Sequence, residues 1–212
     1  VEKEAHKDNV FLISDQKTAN KIKAILEKAQ YTVGKVEKKE KKRNPVPPFI
    51  TSSLQQEASR HFGFSATRTM AVAQTLYEGI DMGAEGSEGA ITYMRTDSVQ
   101  IAPEALQMAR KYITSKYGSK FLPETPRQYT SKKSAQEAHE AIRPTNLDHP
   151  PEKIQKYLSP EQFKLYDLIW KRFISSQMES AIYDTISADI LTDKNMLLKA
   201  VGSTIKFKGF LA

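Results

Sequence analysis

The spacing of apolar residues changes twice along this chain. Near the start, Val10-Phe11-Leu12-Ile13 is a short apolar run bounded by Ser14-Asp15 and predicts a buried strand. Ile22, Ile25, Leu26 and Ala29 then recur at helical spacing, so residues 18–29 predict a helix, and residues 31–36 a second strand that completes a β-α-β unit. The next run, Lys38-Lys39-Glu40-Lys41-Lys42-Arg43, leads into Asn44-Pro45-Val46-Pro47-Pro48. Prolines lack the backbone donor and push their predecessors out of helical geometry. We therefore expect both elements to stop before the basic run, with a domain junction there.

From residue 51 the pattern is helical. Ser52 and Ser53 offer N-caps to a helix through Phe62, and Gly63 is placed to end it. Ser65 caps a second helix over residues 66–78, closed by Gly79, so the pair reads as a helix-turn-helix or an ordinary helical hairpin. Only Arg68 is basic on the second helix, too little to argue for reading of a DNA groove. Pro103 opens a helix that Gly118 closes. Residues 121–133 read as loop, residues 134–142 as a short helix stopped by Arg143-Pro144, and Pro150-Pro151 as a break. Ser159, Pro160 and Gln162 form a capping box ahead of the stripe Tyr166, Ile169, Trp170, Phe173 and Gln177, with Trp170 expected in the core.

The last thirty residues change to a period of two. Ile182, Ile186, Ala188 and Ile190 alternate with polar residues, a turn falls at Asp193-Lys194-Asn195, residues 197–201 return, and Ile205, Phe207 and Leu211 start a third strand. The expected class is α+β and mainly helical: a helical domain over residues 51–180 between β-rich parts of another domain, residues 1–50 and 181–212.

Composition narrows the chemistry only a little. Lys and Arg number 32 against 25 Asp and Glu, a net charge of +7 that suits a polyanionic partner. With no cysteine there are no disulfides or thiolate metal sites. No apolar run is long enough for a membrane span and no signal sequence opens the chain, so a cytoplasmic protein is expected. The chain begins at Val1 and stops inside an apolar pattern at Leu211-Ala212, which reads as a piece of a longer protein.

The chemistry concentrates in two segments. After a glycine-rich loop (Gly79, Gly83, Gly86, Gly89) comes Ile91-Thr92-Tyr93-Met94-Arg95-Thr96-Asp97-Ser98. In extended backbone, alternate residues share a face, so Tyr93, Arg95 and Asp97 would project together. A phenol oxygen beside a guanidinium suits attack on a phosphodiester, because the arginine fork binds phosphate oxygens and stabilises developing charge. The same spacing also describes a solvated strand with a surface ion pair. The second segment is Ala135-Gln136-Glu137-Ala138-His139-Glu140-Ala141-Ile142-Arg143-Pro144-Thr145. His139-Glu140 begins a zinc-helix pattern, but Arg143 stands where the second histidine would be. Beside Arg143, His139 could instead bond a phosphate or move a proton near neutral pH.

Both segments closely resemble signature motifs of the type IA DNA topoisomerases. So does Pro48-Phe49-Ile50-Thr51-Ser52-Ser53-Leu54-Gln55-Gln56-Glu57-Ala58, and Leu76-Tyr77-Glu78-Gly79 falls where that family ends a helix before its glycine loop. Met94, where the topoisomerase III branch usually has proline, favours the bacterial topoisomerase I branch. The resemblance, over roughly residues 45–180, implies that Tyr93 is the nucleophile that cleaves one DNA strand and holds its 5′ end as a phosphotyrosine. A free tyrosine hydroxyl has a pKa of about 10 and needs a neighbouring cation or acceptor to react at neutral pH. Arg95 would neutralise the scissile phosphate, His139 contact it, Asp97 support that network, and Arg143 add a DNA contact. Resealing would need no ATP, the substrate would be a single-stranded segment of negatively supercoiled DNA in the nucleoid, and the β-rich ends would form part of a toroidal arch.

That family completes its site with a Toprim domain bearing a glutamate, a lysine and an acidic Mg2+ cluster, preceding the part seen here. Residues 1–50 contain no Asp-x-Asp cluster, and Glu2, Glu4 and Asp8 follow no pattern. The Mg2+ ligands are therefore expected in the remaining domains of the polypeptide, with no metal on these residues and no strand passage by them alone. Two alternatives are another tyrosine-nucleophile enzyme and a non-catalytic DNA-binding module. His6, His61, His139 and His149 are too scattered for a relaxase metal site, and the tyrosine context differs from that of recombinases.

Overall fold

The computed structural model describes residues 13–83, 86–130 and 139–212. It divides into two compact units, one of residues 42–182 with 205–212 and one of residues up to 41 with 183–204.

The larger unit is helical. Helix α2 (Thr51–Phe62) and helix α3 (Ala66–Glu78) are joined by Gly63-Phe64-Ser65. Gly63 adopts φ 68°, a left-handed conformation that costs glycine little, and its N–H caps the end of α2. The Ser65 hydroxyl accepts the Arg68 N–H and starts α3 as expected. The α2 cap falls at Ile50 rather than at Ser52 or Ser53, and the Ser53 hydroxyl reaches back to accept the Ile50 N–H at 3.0 Å. A short hairpin of β2 (Ile80–Asp81) and β3 (Ser87–Glu88) follows, then α4 (Pro103–Tyr117), the single turn α5 (Pro151–Ile154), and α6 (Pro160–Ser176). The Ser159/Gln162 capping box opens α6 as predicted.

Helix α6 touches α2, α3 and α5, and Leu165, Tyr166, Ile169 and Phe173 are fully buried along it with Leu54, Leu76, Ile91, Met94 and Ile142. Trp170 is in this core, meeting the Tyr112 ring edge-on at 5.4 Å.

The smaller unit holds α1 (Gln16–Glu27), capped by Asp15, and a three-stranded sheet in the order β1-β4-β5 (Tyr31–Arg43, Ala181–Thr192 and Leu197–Phe207) whose strand ends run into the larger unit. The Gln30 carbonyl accepts the Asp193 N–H and the Lys39 carbonyl accepts the Thr185 hydroxyl, so β1 and β4 run antiparallel. Residues 10–12 of the first expected strand lie outside the described residues.

Two expectations are corrected here, and the sheet adds a finding of its own. The basic run does not interrupt the structure: β1 continues through it to Arg43. On an edge strand, charged side chains stay in water, and Lys35 and Lys39 close on Glu37, whose carboxyl is held down to about 2. The third strand is absent, because β5 is continuous to Phe207 and Gly209–Leu211 makes a tight turn. The alternating apolar residues of the sheet do not face a filled core. Ile186 is 47% and Val201 70% exposed, and α1, the other described element of this unit, buries no residue.

Candidate functional site

The segment that carries Tyr93 is extended but is not part of a sheet. Its side chains alternate as expected: Tyr93, Arg95 and Asp97 are exposed, while Met94, Thr96 and Ser98 are buried. The buried set anchors the segment in the core of the larger unit and leaves the other set in solvent.

Side-chain hydroxyls and isolated bridges hold the segment on both sides. On one side, the Thr51 N–H donates to the Thr96 carbonyl at 2.9 Å. The Thr51 hydroxyl donates to the Met94 carbonyl at 2.7 Å and accepts the Thr96 N–H at 2.9 Å. On the other side, the Thr92 N–H donates to the Arg143 carbonyl at 2.9 Å. The Thr92 hydroxyl donates to the Ala141 carbonyl at 2.7 Å and accepts the Arg143 N–H at 3.0 Å. Bridges pair Ile91 with Pro144 and Phe49 with Ile142. The Arg172 guanidinium lies 4.1 Å over the Phe49 ring and backs this junction. The three motifs singled out in the sequence thus meet at one place.

Arg95, Asp97 and His139 line one groove with Thr51, Ser52 and Gln55 from the start of α2. Tyr93 precedes Arg95 on the same exposed face, 45% exposed, with its ring edge-on to Tyr77 at 5.3 Å. Among the described residues, the Tyr93 hydroxyl and the Arg95, Asp97 and His139 side chains take part in no hydrogen bond or ion pair. A guanidinium and an imidazole without partners in one groove can bind an anion's oxygens directly.

Arg143 is placed differently. Its guanidinium holds Glu140, with Nε donating at 2.8 Å and Nη2 at 2.6 Å, and Nη1 donates to the Pro144 carbonyl at 2.9 Å. The described part of the helix expected over residues 134–142 is not helical. The Ala141 and Ile142 N–H groups donate to the Gln100 and Phe49 carbonyls, so His139 sits at the head of an extended segment; residues 134–138 lie outside the described ones.

Sequence reasoning did not single out Thr51, Thr92, Ser52 or Gln55 as site residues. The only signal was their place inside the quoted motifs, since threonine in extended backbone is ordinary.

Among the described residues, no group of three or more His, Asp or Glu side chains stands where it could hold a metal ion, and no helix is long and apolar enough to cross a membrane. Mg2+ takes about six oxygen ligands, and the groove offers one carboxylate, Asp97, on the same face as a guanidinium, so these residues do not fit that ion.

A family model described as DNA topoisomerase matches residues 2–212. DNA topoisomerase 1 of Rickettsia felis is 52% identical over 202 residues, covering 94% of this chain and 26% of that protein. The same enzyme of Rickettsia bellii is also 52% identical over 202 residues, covering 94% of this chain and 25% of its own length. The solved structure of full-length topoisomerase I from Thermotoga maritima matches with a TM-score of 0.77 at 38% identity, covering 92% of this chain and 31% of that one. The chain spans about a quarter of the length of the curated relatives it matches. Motifs, fold and relatives agree, and the chain belongs to the type IA DNA topoisomerases, with bacterial topoisomerase I among its relatives.

Proposed function

We propose that this chain supplies the tyrosine-bearing half of a DNA strand-cleavage site. The observation that carries the reading is one exposed face bearing Tyr93, Arg95 and Asp97, with His139 brought from a distant segment into the groove that Arg95 and Asp97 line. The Tyr93 hydroxyl gives its proton to water as its oxygen attacks the phosphodiester phosphorus, forms the tyrosyl ester to the 5′ phosphate, and displaces the 3′ oxygen, which takes a proton from water as it leaves. The ester conserves the bond, so attack by the 3′ hydroxyl reverses the step without ATP. Arg95 binds the non-bridging oxygens and offsets the charge that builds on them. His139 donates a further hydrogen bond to the phosphate, and Asp97 supports that network. Arg143 serves this site as a brace for the His139 segment, and contact with DNA requires its pair with Glu140 to open.

In the whole protein the activity is relaxation of negatively supercoiled DNA by single-strand cleavage and passage, acting on a single-stranded segment in the nucleoid. Residues 51–180 form the tyrosine-bearing domain, and residues 1–50 and 181–212 contribute to the arch. The Mg2+ that such enzymes use is assigned to the remaining domains of the polypeptide, and no step above runs through it.

The test uses the complete enzyme and its Tyr93→Phe form with an end-labelled single-stranded oligonucleotide, read as covalent adduct after denaturation. The parent is expected to give an adduct and the variant none; equal adduct from both would remove Tyr93 from the reaction. Plasmid relaxation by these 212 residues alone would contradict the assignment of half a site.

A further inference from the structure

The groove that holds Arg95 and His139 does not end at the cleavage face. Ser52 and Gln55 also line a second groove, which continues along α2 past Gln56 and Ser59 to Arg60. These positions follow the i, i+3, i+4, i+7, i+8 spacing that places residues on one side of a helix. The opposite side carries Leu54 and Ala58, both fully buried, so the orientation of α2 is fixed and its polar side is turned out.

That side carries two amides, two hydroxyls and a guanidinium, with no carboxylate among them. The one acid of this stretch, Glu57, lines a different groove and accepts hydrogen bonds from Arg60 and His61 at 3.0 Å each. The Arg60 side chain is 69% exposed, and such a surface pair contributes little, so the guanidinium is free to turn to another anion.

We infer that this side of α2 is a track for the single DNA strand that continues away from the scissile phosphate. Gln55 and Ser59 meet sugar and phosphate oxygens, and Arg60 neutralises a phosphate at the far end. Neutral amides and hydroxyls are the groups that position a nucleic-acid backbone without reading its sequence. From Ser52 to Arg60 the helix rises about 12 Å at 1.5 Å per residue. That length matches about three or four nucleotides at 3.4 Å per stacked base. The inference rests on the cleavage reading above, which fixes where the strand begins.

The test uses the full-length enzyme in its Tyr93→Phe form, so that binding is measured at equilibrium without adduct. Anisotropy of labelled single-stranded oligonucleotides is followed against salt for that protein and for two additions to it, Gln55→Ala with Ser59→Ala, and Arg60→Gln. The double change should weaken binding roughly tenfold, as loss of two neutral hydrogen bonds does, with the salt slope unchanged. Arg60→Gln should lower the slope of log K against log salt by about 0.7, one phosphate on a single strand. Oligonucleotides shortened by three or four nucleotides on the side that follows α2 should bind all three proteins alike. A misfolded variant would lose affinity for every length, and its melting curve would report it.

Parent affinity and parent slope in both variants would overturn the track. If the Tyr93 enzyme forms its adduct while the variants bind normally, the track fails and the cleavage reading stands. If no adduct forms and the variants still lose length-dependent affinity, the track stands as a binding surface and the cleavage reading fails.

Discussion

Replacing Thr51 by valine removes one hydroxyl and keeps the side chain's shape. That hydroxyl bonds two backbone groups of the Tyr93 segment, donating to the Met94 carbonyl and accepting the Thr96 N–H. Met94 is 1% and Thr96 6% exposed, so water reaches these groups poorly once the hydroxyl is gone. A buried polar group left without a partner costs about 1–3 kcal/mol, and because Thr51 itself is only half-buried we expect about 2 kcal/mol for the pair. In a protein of this size that corresponds to a fall in melting temperature of about 4–8 °C. Thr51→Ser keeps the hydroxyl and loses only a methyl, about 0.8 kcal/mol, so it should melt closer to the parent. Amide exchange supplies the local readout: the Thr96 N–H should exchange faster in the valine variant and not in the serine one. In the full-length enzyme the rate of adduct formation should fall with it, by about a hundredfold for a shift near 1 Å. Equal melting of the two variants, with Thr96 exchange unmoved, would show that the hydroxyl does not hold the segment.

Four further outcomes follow from the same geometry. Tyr93→Phe should melt within about 1 °C of the parent, as uncoupled surface changes do, while adduct formation vanishes; a large loss of stability would mean that the hydroxyl has a structural partner. Arg95→Ala should slow oligonucleotide cleavage by about 10²–10³-fold with the melting temperature unchanged, and parent-like cleavage would free Arg95 of its role. In Gly89→Ala the added carbon would sit 2.6 Å from the Tyr77 carbonyl oxygen, so a destabilisation of about 1–3 kcal/mol should appear in denaturant melts. Burial raises the Tyr166 and Tyr129 hydroxyls above their ordinary value of 10.0. Their folded pKa values exceed the unfolded ones, so their contribution is complete below pH 10 and is lost as pH rises through the folded values. Melting temperature should decline above pH 10, and Tyr166→Phe should flatten that decline; an identical decline would place its cause elsewhere.

Much of the helical unit was legible because its signals are local. Ser65, Pro103, Gly118 and the Ser159/Gln162 box fix helix ends within a few residues, and the structure keeps them. The exposed face of Tyr93, Arg95 and Asp97 was legible too, since alternation is a property of extended backbone. What failed depends on partners far along the chain. The Lys38–Arg43 run looks unfit for a strand until β4 supplies its pairing, and residues 139–142 look helical until Phe49 and Gln100 claim their N–H groups. The site showed the same division. Chemistry-bearing side chains stood out by type, whereas Thr51 and Thr92, which bring the motifs together, have no local pattern to mark them.

The alternation along residues 91–98 separates what folds the segment from what it does. Met94, Thr96 and Ser98 are committed to the interior, while Tyr93, Arg95 and Asp97 are exposed and, among the described residues, their polar groups make no hydrogen bond or ion pair to it. Substitution at these three positions should therefore leave the fold intact. Under the cleavage reading proposed above, a copy changed only at Tyr93 would keep its fold and its Arg95 and His139 groove, so in a cell it should behave as interference rather than as absence.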